Sequence, residues 1–256
     1  MKILEIKNLY KNFDGLKAVD GLSFEIKKGS IVALIGPNGS GKTTIFNLIT
    51  GFLKPDNGEI YFSSNSLTHK LNNLPTYKIA QLGIGRTFQD IKLFQQMSVL
   101  DNVMLAIKYA KEESFYSALF QTKNMKEKEN KNRKKAEYLI DFVGLSEKKD
   151  AFGENLSYGQ RKLLELARIL ALDPDIFLLD EPLAGLFPEK RTKMLNLLKQ
   201  INEQGKTIIL IEHDINSVMD FAKHIIVLDY GKKIAEGSPN EIRENKEVLK
   251  AYLGKI

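Results

Sequence analysis

The chain of 256 residues contains no cysteine. That excludes disulfides, thiol catalysis and cysteine-ligated metal sites, and it is compatible with a reducing compartment. No apolar run approaches the ~18 residues needed to span a bilayer. The first residues, MKILEIKNLYKNF, alternate like a strand and lack the apolar core of a signal peptide. Internal repeats and low-complexity tracts of any length are missing too. What remains is ordinary for a soluble globular protein, with 43% hydrophobic and 27% charged residues, enough for one large domain or two small lobes. Lys and Arg number 38 against 32 Asp and Glu, a net charge of +6. A charge of that size speaks to solubility more than to an acidic partner or an anionic membrane face.

The most informative stretch is Ile31 to Leu48, IVALIGPNGSGKTTIFNL. Ile31 to Ile35 reads as a buried strand, and Thr44 to Thr50 as a helix ended by Gly51 with Pro55 beyond. Between them Gly36, Pro37, Asn38, Gly39, Ser40, Gly41, Lys42 and Thr43 fit the phosphate-binding pattern G-x-x-x-x-G-K-[ST]. The glycines let successive backbone N–H groups turn toward an anion, and the helix N-terminus adds partial positive charge. Lys42 has the reach for β- and γ-phosphates, and the Thr43 hydroxyl is placed to ligate Mg²⁺. Chance would produce such a match in roughly one chain of this length in a hundred, and the flanking strand and helix lower that further.

Along the chain, Ile3-Leu4-Glu5-Ile6, Ala18-Val19 and Leu22 to Ile26 alternate between turns at Asp14-Gly15 and Lys28-Gly29, which predicts a small antiparallel sheet. Phe13 and Tyr10 precede the phosphate loop. Either could stack on a base or pack in the sheet, and packing suits Tyr10 better. Asn57-Gly58 reads as a turn before the strand Glu59 to Phe62. Residues 65–80 read as a polar loop and a short helix, and Gly83 to Gln89 as a strand edge ending at Gln89. From Val99 to Asp150 the pattern is helical. The basic run Lys123 to Lys135 within it reads as a solvated helix face or a connection, in preference to a nucleic-acid or headgroup patch. Leu156-Ser157-Tyr158-Gly159-Gln160 leads into an amphipathic helix from Arg161, ended by Asp173-Pro174. Ile176 to Leu179 is a continuous apolar strand closing on Asp180 and Glu181, as in parallel sheets covered on both faces. A helix over Pro188 to Glu203, a strand Thr207 to Ile211 ending at Glu212-His213, a strand Ile225 to Leu228, a turn at Tyr230-Gly231 and a helix after Pro239 complete the chain.

Strands ending in Gly36, Asp180 and His213 bring their polar tips to one carboxyl edge, where open α/β sheets bind ligands. Asp180 is then a second Mg²⁺ anchor opposite Thr43, and Glu181 faces the γ-phosphate and polarises a water. The alternative, two helix N-caps, fits poorly with an apolar strand beside a phosphate loop. His213 is placed to hydrogen-bond the γ-phosphate. His69 and His224 have no such context and read as structural.

Taken together, these segments resemble the ATP-binding subunit of ATP-binding-cassette (ABC) transporters. That family's signature loop is LSGGQ, and here it is Leu156-Ser157-Tyr158-Gly159-Gln160. The phosphate loop, Gln89, the signature, Asp180-Glu181 and His213 follow the family's order and spacing over essentially the whole chain. The resemblance implies an α/β P-loop cassette with a mostly parallel central sheet, an antiparallel β subdomain and a helical subdomain. About 1–87 and 157–256 would form the core with its β subdomain, and about 88–156 the helical part that grips membrane subunits. It implies ATP and Mg²⁺ as cofactors, held by Phe13 on adenine, by Gly36 to Thr43 with Thr44, and by Ser157, Gly159 and Gln160 of a second subunit. Glu181 would be the general base, with His213 and Gln89 beside it; Thr43, Asp180 and Gln89 would serve the metal and its waters. The implied partners are a second ABC ATPase, identical or related, transmembrane permease subunits and, indirectly, a periplasmic or extracellular solute-binding protein, with no nucleic acid. The implied location is the cytoplasmic face of the cell membrane.

A closer likeness is to the ATPases of branched-chain amino-acid uptake, carried by segments such as GLKAVDGLSF, IGRTFQDIKLFQQMSVLDNV, DEPLAGLFP, IEHDINSVM and VLDYGKKIAEGSP. That subgroup's D-loop typically ends Gly-Leu-Asn-Pro. Here Gly185-Leu186-Phe187-Pro188 puts an aromatic residue where a polar one would face the dimer interface. Lipopolysaccharide-export ATPases share much of the pattern and form the second reading. A non-transport ABC protein would need a coiled-coil arm or a second cassette, for which the interval between Lys42 and Asp180 has no room. A small-molecule P-loop kinase would have no use for a signature loop.

Overall fold

The computed structural model describes residues 1–64, 66–109, 123–213 and 215–253. Residues 110–122, part of the expected helical stretch, lie outside that description, as does Asp214. The chain divides into two compact units, one of Met1–Arg86, Asp175–Ala184 and Leu198–Ile256, the other of Thr87–Pro174 and Gly185–Leu197.

In the first unit, two long strands, β1 (Lys2–Phe13) and β2 (Leu16–Lys27), pair antiparallel through a turn at Asp14 and Gly15, both at positive φ (44° and 90°). They replace the three short segments expected from alternation. The strands run through their interruptions, because Asn8 and Gly21 take positive φ where the register shifts. Two further strands, β4 (Asn57–Ser64) and β5 (Leu67–Lys70), complete a four-stranded sheet in the order β2-β1-β4-β5. Asn57-Gly58 thus lies inside a strand, and β5 occupies what reads in sequence as loop. Tyr10 is half-buried with its ring against Gly21, the packed outcome.

The second sheet of this unit contains β3 (Ile31–Ile35), β6 (Ile84–Arg86), β7 (Ile176–Asp180), β8 (Thr207–Ile211), β9 (His224–Asp229) and β10 (Lys232–Gly237), in the order β10-β9-β3-β8-β7-β6. All but the β9–β10 pair are parallel. Every residue of β3, β7 and β8 is buried, which is why these segments are apolar without alternation. Leu34 of β3 lies beside Ile211 of β8, and Ile211 beside Asp180 of β7, so the three strands end level. The helices α1 (Lys42–Ile49), α2 (Thr76–Gln81), α7 (Ile215–Phe221), α8 (Pro239–Arg243) and α9 (Lys246–Leu253) belong to this unit. Its core joins Phe46, Leu48 and Ile49 of α1 to Phe62 of β4, Leu178 of β7 and Leu228 of β9.

The second unit is helical. It packs α3 (Val99–Tyr109), α4 (Lys123–Phe142) and α5 (Tyr158–Leu172) together. The segment 157–174, which sequence reading groups with the core, belongs here because the apolar face of α5 packs on α3 and α4. From Glu127 to Lys135 every residue except Asn132 is exposed, so this described part of the basic run is a solvated helix face. The helix α6 (Pro188–Glu203) has the expected bounds. Among the described residues, no helix is long and apolar enough to cross a membrane.

Candidate active site

The loop between β3 and α1 is shaped by close backbone contacts. A Cβ on Gly36 would lie 2.1 Å from the carbonyl oxygen of Leu228, and one on Gly41 would lie 2.3 Å from that of Ala18. Only glycine fits either position. The turn between β9 and β10 braces the loop, with Gly231 N–H donating to the Ser40 carbonyl at 3.1 Å. Burial pushes the Tyr252 phenol of α9 up to about 12, against a hydrogen bond with the Gly36 backbone. The helix starts at Lys42, inside the motif and two residues before the expected start, with Gly41 at its N-cap in the left-handed region.

Lys42 is buried, and its ammonium donates to the carbonyls of Gly36 (2.8 Å) and Pro37 (2.9 Å) and to Ser40 Oγ (3.4 Å). Its side chain is therefore folded back into the loop. Burial lowers its pKa, while the charges of Glu181 and Asp180 oppose that shift. Thr43 and Asn38 are exposed, Thr44 is half-buried, and Gly39 sits at positive φ.

Asp180, at the tip of β7, is only 3% exposed. Burial raises its pKa, and the Arg86 guanidinium 3.4 Å away counters that rise. The same guanidinium donates to Asn47 Oδ1 at 2.7 Å and Thr50 Oγ1 at 3.1 Å, both on or ending α1, and lies over the rings of Phe46 and Phe52. In the sequence Arg86 belongs only to the strand edge read over Gly83 to Gln89 and carries no motif.

Glu181 follows with φ at 51°, an uncommon conformation for a non-glycine residue. Its Oε1 lies 2.9 Å from His213 Nε2. The structure therefore brings Lys42, Asp180, Glu181 and His213 to the carboxyl edge of one sheet. Phe13, 40% exposed, ends β1 opposite Leu16, with the Lys11 ammonium 5.4 Å from its ring centre. His224 has a structural partner, Glu236, at 2.9 Å, and His69 pairs with Phe62 across the small sheet.

Gln89 lies three residues past the end of β6, not at the strand's tip, and belongs to the helical unit. There it lines a cleft of about 310 Å³ with Asp90, Leu93, Gly153, Tyr158 and Arg161. Ser157 caps α5, which starts at Tyr158 instead of Arg161. Its hydroxyl accepts from Gln160 N–H, and its own N–H donates to Gln160 Oε1 at 2.9 Å. Gly159 is in the first turn, where a Cβ would touch Leu186 at 3.4 Å. The exposed ring of Tyr158 covers Gly185, and Phe187 is 82% exposed at the start of α6.

The chain matches the model of the family described as ABC transporter over residues 19–184, and that of the branched-chain amino acid ATP-binding cassette transporter over residues 232–255. It is 38% identical over 253 residues to the high-affinity branched-chain amino acid transport ATP-binding protein BraF of Pseudomonas aeruginosa, covering 98% of both chains. The same figures hold for LivG of Escherichia coli, named for the same transport. Among solved structures, the ADP conformation of the ABC cassette MJ1267 superposes with a TM-score of 0.83 at 34% identity over the whole of both chains. A dimeric post-hydrolysis cassette, MJ0796 bound to ADP and Pi, gives 0.78 at 29% identity over 93% of this chain and 99% of that one.

Proposed function

The chain belongs to the ABC transporter family of ATP-binding cassettes, and on that premise we propose that it hydrolyses ATP to drive high-affinity uptake of branched-chain amino acids. The observation that carries the chemistry is the level ending of β3, β7 and β8, which aligns a phosphate loop with a carboxylate–imidazole pair. The loop's N–H groups and the α1 N-terminus receive the phosphates. Lys42 leaves its loop carbonyls to meet the β- and γ-phosphates.

A divalent ion fits the donor set. One buried carboxylate, Asp180, and one exposed hydroxyl, Thr43, suit Mg²⁺, which keeps waters and substrate phosphates as most of its ligands. Among the described residues there is no cluster of three or more acidic or histidine side chains to form an all-protein cage. When bound, the ion neutralises charge on the β- and γ-phosphate oxygens.

Hydrolysis then requires a water whose oxygen bonds to the γ-phosphorus as the bond to the β-bridging oxygen breaks. The water's proton passes to Glu181, and ADP and phosphate leave. His213 holds Glu181 and contacts the γ-phosphate. Phe13 stacks on the base. Ser157, Gly159 and Gln160 offer the α5 N-terminus to the γ-phosphate bound by a second cassette, identical or related. The unit formed by Thr87–Pro174 and Gly185–Leu197 docks on transmembrane permeases at the cytoplasmic face, which a solute-binding protein supplies.

The reading is tested with Glu181→Gln, which keeps ATP affinity, loses turnover and holds the assembled dimer in ATP–Mg²⁺. Pull-down of that variant from native membranes in mild detergent, followed by mass spectrometry, is expected to recover multi-span permeases and a binding protein for aliphatic amino acids. Lipopolysaccharide-export partners would overturn the substrate assignment. Normal turnover by Glu181→Gln would remove Glu181 as base.

A further inference from the structure

Glu181 occupies a left-handed backbone conformation, and the turn that carries it, residues 181–184, closes with Ala184 N–H donating to the Glu181 carbonyl at 3.3 Å. Such a turn leaves the N–H groups of Glu181 and Leu183 without partners inside it, and buried amides require partners. Both are supplied by consecutive residues at the end of β8. Glu181 N–H donates to the Ile211 carbonyl at 3.0 Å, and Leu183 N–H donates to Glu212 Oε1 at 2.7 Å. His213 then holds the Glu181 side chain at 2.9 Å. Ile211, Glu212 and His213 thus grip the turn at its backbone on both sides of Pro182 and at its carboxylate.

Glu212 is 4% exposed. Its Oε1 ends on a backbone amide two residues from the proposed base, a position suited to orientation and not to contact with nucleotide. We infer that Glu212 is a positioning residue that fixes the carboxylate of Glu181 for hydrolysis by anchoring the Leu183 amide. This rests on the reading of Glu181 as the base. Misplacing a reacting group by about 1 Å costs on the order of 100-fold in rate, so the effect falls on turnover and leaves ATP binding alone.

The test separates the acceptor from its reach in the intact chain. Glu212→Gln keeps an Oε1 acceptor at the same distance and is expected to retain kcat within about threefold. Glu212→Asp keeps the carboxyl group but is shorter by one methylene, and is expected to lose at least about tenfold in kcat. ATP affinity, measured by equilibrium binding of a fluorescent ATP analogue, stays within about threefold for both, as does the KM for ATP. In a Glu181→Gln background, Glu212→Asp causes no further loss of residual turnover, because its effect runs through Glu181. The inference is overturned if Glu212→Asp turns over normally, if Glu212→Gln falls with it, or if the loss appears in ATP affinity. Normal turnover by Glu181→Gln alone would instead overturn the assignment of the base, so the two failures are distinct.

Discussion

Replacing Arg86 by methionine removes one partner of a buried ion pair. The guanidinium is 6% exposed and faces a carboxylate that is 1% exposed, with the two charges 3.4 Å apart. Methionine fills much of the same space, so cavity formation is a minor part of the cost. The larger part is electrostatic, since Asp180 keeps its burial and loses the guanidinium that does most to offset it. Removing one partner of a buried pair costs about 3–5 kcal/mol. The lost bonds to Asn47 and Thr50 fall within the same figure, because Thr50 Oγ1 also donates to the Phe46 carbonyl at 2.6 Å and keeps that partner.

Against a typical total stability of about 5–15 kcal/mol, such a loss is large. Denaturant titration of the nucleotide-free chain is expected to show a markedly lower midpoint at an unchanged slope. Asp180→Asn removes the buried charge, so Arg86→Met in that background is expected to cost about 2–3 kcal/mol less than it does alone, a coupling within the range for contacting residues. A cost under about 1 kcal/mol for Arg86→Met, or an equal cost in both backgrounds, would refute the argument that Arg86 compensates Asp180.

Three further substitutions follow from local geometry. Gly41→Ala brings a Cβ to 2.3 Å from the Ala18 carbonyl at a φ of 100°, so the loop must shift; ATP affinity is expected to fall at least about tenfold in equilibrium binding, with no change if the loop adapts freely. Phe187 takes the N-cap position of α6, its carbonyl accepting from Arg191 N–H at 3.0 Å while its ring is exposed. Phe187→Asn restores a capping side chain and is expected to raise stability by about 0.5–2 kcal/mol in the same titration. Tyr252 ionises near 10 when unfolded and near 12 when folded. Its stabilising effect is therefore full below pH 10 and is lost as pH rises toward 12, amounting to about 1.4 kcal/mol by pH 11. Tyr252→Phe is expected to abolish that part of the alkaline loss, measured by comparing midpoints at pH 9 and pH 11.

Legibility in the sequence followed burial. The strands at 31–35 and 207–211 and the helix at 188–203 match their expected bounds, because an unbroken apolar run or a proline-opened amphipathic helix admits one reading. The strands that the sequence leaves unmarked, Leu67–Lys70 and Lys232–Gly237, lie at the ends of their sheets and contain no buried residue. Edge strands of this kind carry lysine and lose the alternation that betrays a half-buried one. Two helices, α1 and α5, start earlier than their apolar periodicity, because their first turns are made of motif residues, Lys42-Thr43 and Tyr158-Gly159-Gln160, which do not carry the apolar spacing of the rest.

The same contrast explains why Lys42, Asp180, Glu181 and His213 were legible and Arg86 and Glu212 were not. A phosphate loop or a strand closing on two carboxylates is a local pattern, with its chemistry written in consecutive residues. Arg86 acquires its role only because β6 is hydrogen-bonded beside β7, which sets its guanidinium against Asp180 from a position 94 residues away. Glu212 acquires its role because β8 lies beside β7, which brings its carboxylate to an amide 29 residues away. Neither adjacency can be counted off along the chain, since the sheet order takes β8 between β3 and β7 against the order of synthesis. Residues that orient a site through a neighbouring strand are encoded in that order, so strand pairing is the information a motif search lacks.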